Sequence, residues 1–111
     1  MDRRDAVRGY YDAIDAGDYD SLRGLLAPGF VQRRPDRTFD GREAFVRFMR
    51  EERPRTDTEH VLSTVCVADD AETVFARGHL RGHDGERLFG FVDAFEVADG
   101  RIESLTTYSN N

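Results

Sequence analysis

The stretch RLFGFVDAFEV, residues 87–97, alternates in the way that is typical of a half-buried β-strand. Because successive side chains of a strand point to opposite faces, one face is predicted to carry Phe89, Phe91, Asp93 and Phe95. A carboxyl group among phenylalanines loses hydration, which raises its pKa unless a hydrogen-bond donor compensates. Such acids are concentrated at functional sites, although structural networks also produce them. The stretch therefore predicts a strand and marks Asp93 as a candidate site residue, the alternative being a buried, hydrogen-bonded scaffold residue.

Three further strand-like runs lie around this stretch, and the four together cover residues 59–68, 72–81, 87–97 and 101–109. Segments rich in Asp and Gly separate them, and these residues favour tight turns. Short connections make successive strands antiparallel, so the second half of the chain is predicted to be a meander.

The register of the last strand stays open at this point. A three-residue bulged turn at 98–100 puts Leu105 and Thr107 on the face of Asp93, whereas a two-residue turn puts Thr106 and Tyr108 there.

The beginning of the chain predicts a helix over residues 2–16. Its apolar side chains recur at spacings of three and four, namely Val7, Tyr10, Tyr11 and Ile14. The charged residues, Asp15 among them, are assigned to the other side. Gly17 is predicted to end this helix as its C′ residue.

Two shorter helices are predicted next. Asp18 is placed to cap the first of them, which stops before Pro28. Asp40 and Glu43 form a capping-box pattern ahead of the other, which Pro54 closes. Helices followed by strands predict an α+β fold, with three N-terminal helices packed on one face of an antiparallel sheet, in a single domain spanning residues 1–111.

The composition excludes several classes of partner. There are 22 acidic residues against 16 basic ones, and the formal net charge of -6 disfavours a nucleic-acid partner. No apolar run approaches the ~20 residues of a membrane helix, and no signal peptide is evident. The single cysteine, Cys66, forms no internal disulfide and is predicted to be a small core residue. Together these features favour a cytoplasmic location.

The run YYDAIDAGDYDSL, residues 10–22, resembles the N-terminal signature of the NTF2-like superfamily, as do the positions that follow it, Leu26, Pro28, Phe30, Val31 and Gly41. The segments VDAF at 92–95 and DGRI at 99–102 are similar to the last two strands of that superfamily. It includes the SnoaL-like polyketide cyclases and the ketosteroid isomerases. The resemblance spans nearly the whole chain and implies a cone-shaped domain, in which a curved sheet surrounds a deep pocket, often in a homodimer.

The resemblance also implies roles for individual residues. Tyr10 is similar in position to the tyrosine that donates a hydrogen bond to the substrate oxyanion in the isomerases. Asp93 matches their second oxyanion donor, a carboxylic acid kept protonated by an apolar site. The position of their proton-shuttling aspartate, just before a proline, holds Arg34 ahead of Pro35, and an arginine does not act as a base at neutral pH.

The candidate catalytic residues are therefore Asp93, Tyr10 and His60, the last as a base near neutral pH. The predicted ligand-binding set is Arg34, Phe30, Phe48, Phe89, Phe91, Phe95 and Thr107. Arg34 is a possible clamp for an anionic group, or a solvated loop residue. We predict no metal and no cofactor, since His79 and His83 lack convergent partners.

Two functions compete at this stage. The first is an isomerase- or cyclase-type enzyme that polarises a carbonyl-containing ligand through Tyr10 and Asp93. The second is a non-catalytic module for ligand binding or dimerisation, in which Asp93 serves the scaffold. The mixed face formed by Phe75, Arg77 and His79 predicts a homodimer through the sheet.

Overall fold

A computed structural model of the chain describes residues 3–53 and 56–110. Within those ranges the elements follow in the order α1 (Arg3–Ala16), α2 (Tyr19–Leu25), β1 (Leu26–Arg33), β2 (Thr38–Asp40), α3 (Arg42–Glu51), β3 (Thr58–Val67), β4 (Thr73–Gly82), β5 (Arg87–Ala98) and β6 (Arg101–Ser109). The predicted α+β fold is confirmed, and the four predicted strand runs correspond to β3–β6 with ends shifted by one residue at most.

One six-stranded sheet holds all the strands, in the order β2-β1-β6-β5-β4-β3. Neighbouring strands are antiparallel, as the meander prediction required, except that β1 runs parallel to β6. The sequence prediction did not include β2 or this parallel pairing. Strand β1 also begins at Leu26, before the Pro28 that was expected to separate helix from strand, and an irregularity in its pairing with β6 accommodates the proline.

The core lies between the helices and one face of the sheet. Helix α1 turns its apolar side inward, and its buried residues are Ala6, Val7, Tyr10, Tyr11, Ala13 and Ile14. They meet the inward side chains of β5 and β6, of which Phe95, Ile102 and Leu105 are fully buried. This confirms the inward face that the apolar spacing predicted for α1.

The predicted helix boundaries hold at α2 and fail at α3. Asp18 caps α2, because its carboxylate accepts a hydrogen bond of 3.2 Å from the backbone N–H of Ser21. The capping box at α3 is wrong: Asp40 belongs to β2, and the N-cap position is Gly41, with φ of 106° and no side-chain hydrogen bond. Asp2 and Pro54, expected to begin and close helices, lie outside the described residues.

The turn between β5 and β6 has two residues, Asp99 and Gly100, both with positive φ. By itself such a turn places Thr106 opposite Asp93. The pairing shifts by one residue after Val97↔Ile102, however, so that Glu96 faces Ser104 and Asp93 faces Thr107. Leu105 and Thr107 thus share the face of Asp93, through a bulge within β6 rather than in the turn.

The outer face of the sheet contradicts one prediction. Cys66 on β3 is exposed rather than part of the core. Its pairing partner on β4 is Phe75, which is also exposed. Two further large hydrophobic residues are exposed on the neighbouring strands, namely Val92 on β5 and Tyr108 on β6. The segment around Cys66 is apolar, which favoured a core position for it. Because side chains alternate along a strand and Val65 and Val67 face the core, Cys66 faces outward. No helix in residues 3–53 or 56–110 is long and apolar enough to cross a membrane.

Candidate functional site

A cavity of about 750 Å³ opens between α1, α3, the loop after β1 and the ends of β3–β6. Buried side chains form its floor, among them Tyr10, Gln32, Phe91 and Asp93. Its rim is formed by more exposed residues of the β1–β2 loop and of the end of α3. The volume suits a small organic molecule.

Asp93 lies on the floor of this cavity with 5% of its surface exposed. The hydroxyl of Tyr11 donates to Asp93 Oδ2 at 2.5 Å. Burial raises the pKa of the Asp93 carboxyl, and the hydrogen bonds from Tyr11 and Thr107 oppose that shift without reversing it. Within the described residues, Asp93 Oδ1 is buried without a hydrogen-bond partner. A carboxyl group with one oxygen held and the other unpartnered is arranged to donate a proton or a hydrogen bond.

The hydrogen-bond partner of Asp93 is Tyr11, which the sequence did not single out, whereas Tyr10 was predicted as a donor to the ligand. Tyr10 also lines the cavity, but its ring packs on Phe95 with a centroid distance of 5.3 Å and on Phe45 at 6.2 Å. Burial raises the pKa of the Tyr10 hydroxyl, and the nearby Asp93 carboxyl raises it further. Both phenols therefore stay protonated at neutral pH, and Tyr11 is the one that orients Asp93.

A second polar pair lies beside the first. The carboxylate of Asp15 accepts from the backbone N–H of His60 at 3.0 Å, and Asp15 Oδ1 lies 2.6 Å from His60 Nδ1. Because a carboxylate only accepts hydrogen bonds, Nδ1 is the donor in this contact. The His60 ring also lies against Tyr11, with 5.0 Å between centroids, and His60 lines the cavity.

Asp15 was wrongly assigned to the outer side of α1. Its side chain is 21% exposed and faces β3, one helical turn from Tyr11. The spacing of four residues was the available signal, since residues i and i+4 of a helix share a face.

Gln32 and Thr107 complete the polar floor. The amide of Gln32 donates to the Thr107 hydroxyl at 3.1 Å, and Thr107 is the residue opposite Asp93 on β6. Gln32 Oε1 is buried without a hydrogen-bond partner in the described part of the chain. Gln32 was not predicted as a site residue; its position on β1 became evident only with the parallel β1–β6 pairing.

The remaining predicted ligand-binding residues divide into two groups. Arg34, Phe48, Phe89 and Phe91 line the cavity together with Thr107. Phe30 and Phe95, by contrast, are fully buried and do not line it. Phe30 packs on Phe45, with a centroid distance of 5.1 Å, and Phe95 packs under the two tyrosines of α1, so both belong to the core beneath the cavity.

In residues 3–53 and 56–110 no group of three or more His, Cys, Asp and Glu side chains is arranged to hold a metal ion. The pair of Asp15 and His60 supplies two ligands at most. The polar groups that line the cavity floor include the Asp93 carboxyl, the Tyr10 hydroxyl, the His60 imidazole and the amide of Gln32.

The chain is similar to known proteins in its family and in its fold. The family model of the SnoaL-like domain matches residues 7–105. No curated protein matches the chain.

Solved structures share the fold at low sequence identity. An NTF2-like protein of unknown function from Cytophaga hutchinsonii has a TM-score of 0.82 and 17% identity, over 97% of this chain and 89% of that one. A candidate ketosteroid isomerase from Kribbella flavida has a TM-score of 0.85 and 21% identity, over 99% and 78%. A candidate polyketide cyclase from Sinorhizobium meliloti has a TM-score of 0.80 and 23% identity, over 94% of each chain. These likenesses confirm the NTF2-like fold.

Proposed function

Because the chain belongs to the SnoaL-like domain family, we propose that its cavity binds a carbonyl-containing small molecule and carries out isomerase- or cyclase-type acid–base chemistry on it. One observation carries this proposal. Asp93 is a buried carboxyl with a raised pKa, and its Oδ1 atom has no hydrogen-bond partner in the described residues. An unpartnered donor on the floor of a cavity is most simply explained by a ligand acceptor.

The proposed role of Asp93 is to stabilise negative charge on the ligand oxygen. In its protonated form the carboxyl donates from Oδ1 to a carbonyl oxygen, while Tyr11 donates to Oδ2 and fixes the carboxyl orientation. As the carbonyl becomes an enolate, its oxygen gains charge and this hydrogen bond strengthens. Tyr10, whose hydroxyl also stays protonated, remains a predicted second donor at the same floor.

The proposed base is His60. Its Nε2 takes a proton from the carbon next to the carbonyl, and the electron pair of that C–H bond moves into the enolate. The Asp15 carboxylate at 2.6 Å stabilises the imidazolium that forms. Return of the proton to a different carbon completes an isomerisation, and attack of the enolate carbon on a second carbonyl group completes a ring closure. In this proposal Asp15 and His60 take over the role of the proton-shuttling aspartate of the ketosteroid isomerases, whose position holds Arg34 in this chain.

The second candidate remains a non-catalytic ligand-binding module. The short hydrogen bond between Tyr11 and Asp93 favours it, because the same bond would satisfy a buried acid of the scaffold. The two functions lead to different expectations for a bound ketone. Removal of the His60 imidazole slows proton exchange next to the carbonyl only if the protein is an enzyme.

The experiment follows proton exchange at the carbon next to a carbonyl. The probe is 2-tetralone in deuterated buffer near pH 7, observed by NMR with and without the protein. We expect the protein to accelerate deuterium incorporation, and His60→Gln and Asp93→Asn to reduce that acceleration by roughly tenfold to a thousandfold. Asp12→Asn is the matched control, since Asp12 is an exposed carboxylate on the outer side of α1. A bound probe whose exchange the protein leaves unchanged would favour the non-catalytic module.

We also propose a homodimer through the outer face of the sheet. The exposed side chains of Phe75, Val92 and Tyr108 lie on three adjacent strands, β4, β5 and β6. An apolar area on this face is suited to a second copy of the chain. The cytoplasmic location stays a prediction from the sequence.

A further inference from the structure

We propose that the ligand of this cavity carries a carboxylate group, held at the rim by Arg34 and Arg53. The inference rests on the proposed function, because it concerns the same ligand, and it adds the substrate class: an anionic carbonyl compound. Three observations support it, namely the charge of the rim, the Nε atom of Arg53, which has no hydrogen-bond partner in the described residues, and the place of both arginines in the cavity lining.

The rim is positive although the protein is acidic. The chain has a formal net charge of -6. The charged rim residues are nevertheless Arg34, Arg37 and Arg53 against Asp36 and Glu52. Among the described rim residues the three arginines exceed the two carboxylates by one charge. A local positive charge at the opening of an apolar cavity favours an anion over a neutral ligand.

Arg53 offers a donor that the described residues leave unused. Its Nε atom is buried and has no hydrogen-bond partner within residues 3–53 and 56–110. Its Nη2 atom donates to the Tyr19 hydroxyl at 3.3 Å, which anchors the side chain at the end of α3. A buried N–H without an acceptor is unfavourable, and an acceptor supplied by a ligand relieves it.

Arg34 is ion-paired with Asp36 through a contact that is longer than a hydrogen bond. Its Nε lies 3.7 Å from Asp36 Oδ1, which is too long for a hydrogen bond, and its side chain is 33% exposed. Arg37 differs from it, because its guanidinium stacks on the rings of Phe39 and Phe48 at 4.4 and 4.9 Å. The pair available to an anion is therefore Arg34 and Arg53.

Arg34 and Arg53 both line the cavity, the first from the loop after β1 and the second from the segment after α3. Both lower the pKa of the Tyr10 hydroxyl, although burial dominates and raises it overall. Arg34 also lowers the pKa of Asp93, so the positive charge reaches the floor of the site. A ligand that reaches from Asp93 to the rim therefore meets both arginines at its outer end.

The chemistry of the rim favours a carboxylate over a phosphate. A carboxylate has a single charge, which matches the excess of one arginine. The second charge of a phosphate monoester would be repelled by Asp36 and Glu52, which line the same opening. Arginine also matches the flat geometry of a carboxylate by paired hydrogen bonds.

The experiment compares two probes that differ only in the proposed group. 6-Hydroxy-2-naphthoate presents a phenol to Asp93 and a carboxylate to the rim, and 6-hydroxy-2-naphthamide has the same shape without the charge. Dissociation constants are measured by calorimetry for the parent and for Arg34→Gln, Arg53→Gln and Arg33→Gln. Arg33→Gln is the matched control, because Arg33 is exposed, adjacent in sequence and outside the cavity lining. Thermal unfolding confirms that each variant is folded, and Arg53→Lys replaces Arg53→Gln should the latter fail to fold.

We expect the parent to bind the carboxylate at least tenfold more tightly than the amide, since hydrogen bonds between charged groups are stronger than those between neutral groups. This preference should fall about tenfold in Arg34→Gln and in Arg53→Gln, and persist in Arg33→Gln. Equal binding of the two probes to the parent overturns the proposal, as does an equal loss of preference in Arg33→Gln, which would indicate net charge alone.

The outcomes also separate this inference from the proposed function. If both probes bind equally but Asp93→Asn weakens both, the carboxylate subsite fails and the oxyanion role of Asp93 stands. If the carboxylate preference depends on the two arginines while Asp93→Asn leaves binding unchanged, the anion subsite stands and the oxyanion role fails. Absence of binding by either probe at millimolar concentration counts against both.

Discussion

Substitution of Tyr11 by Phe tests the central hydrogen bond of the site with little change in packing. The hydroxyl is lost, but the ring and its contacts with Phe91 and His60 are retained. Asp93 Oδ2 then loses the donor at 2.5 Å, while Oδ1 already has no partner in the described residues. Tyr10→Phe is the matched control, because it removes the same atom from the neighbouring buried tyrosine and leaves the bond to Asp93 intact.

The expected size of the effect follows from burial. Removal of one partner from a buried hydrogen bond costs about 1–3 kcal/mol of unfolding free energy. A chain of 111 residues has an unfolding entropy of roughly 0.23 kcal/mol/K, so Tyr11→Phe should lower Tm by about 4–13 °C. Tyr10→Phe should lower Tm by less, because it does not deprive Asp93 of its donor.

The effect should also depend on pH. Burial already raises the folded-state pKa of Asp93, and the Tyr11 hydrogen bond lowers it, so Tyr11→Phe should raise that pKa further. Below the unfolded-state pKa, Asp93 is protonated in both states and carries no charge penalty. As pH rises through the folded-state pKa the protein loses stability, and in Tyr11→Phe this loss is larger. The Tm gap between the variant and the parent should therefore widen as pH rises.

Thermal unfolding between pH 4 and pH 9, together with NMR titration of the Asp93 carboxyl carbon, measures both effects. Equal losses of Tm in the two tyrosine variants, or a gap that stays constant with pH, would refute the reasoning. So would a folded-state pKa of Asp93 at or below that of a model aspartate.

Three further predictions concern other parts of the chain. Asp93→Asn should remove the fall in unfolding free energy that the raised pKa of Asp93 causes as pH rises, and chemical denaturation at several pH values measures it. Gly78→Ala should destabilise by about 1–3 kcal/mol, because its Cβ would meet the Val61 carbonyl oxygen, whereas Gly29→Ala, which has open space, should be nearly neutral. Phe75→Glu should convert the proposed dimer to a monomer in light scattering at roughly 10 µM, and a parent that is already monomeric there would contradict the dimer.

The antiparallel half of the fold could be predicted because its signals are local. Alternation along residues 87–98 and the Asp99-Gly100 turn are both contained in short segments, and they determine which strands pair. The parallel pairing of β1 with β6 joins Gln32 to Leu105 across most of the chain, and no turn marks it. Pro28 indicated the end of a helix, whereas in the structure strand β1 has already begun at Leu26. Local patterns therefore predicted the meander but not the parallel pairing of β1 with β6 or the short strand β2 at the other edge of the sheet.

The site was predictable only where one residue type stood out from its surroundings. Asp93 was recognisable as an acid on an aromatic strand face. Tyr10 and Tyr11 are neighbours on the inward side of α1, and the sequence contains nothing that distinguishes which of them reaches Asp93. Asp15 was missed because its partner, His60, is 45 residues away. A polar side chain near the inward face of a helix is better explained by a distant partner than by solvent.

The β-bulge in β6 explains how an ordinary hairpin comes to carry a polar floor. With the two-residue turn alone, Thr106 would face Asp93, and Thr107 would lie on the outer side of the sheet. The additional residue, Glu103, moves the pairing so that Thr107 lies beside Asp93 and accepts the hydrogen bond from Gln32. Tyr108 is moved to the outer face, where it is 60% exposed. One inserted residue thus supplies the cavity with a hydroxyl and the outer face with an aromatic ring, which couples the proposed ligand site to the proposed dimer surface.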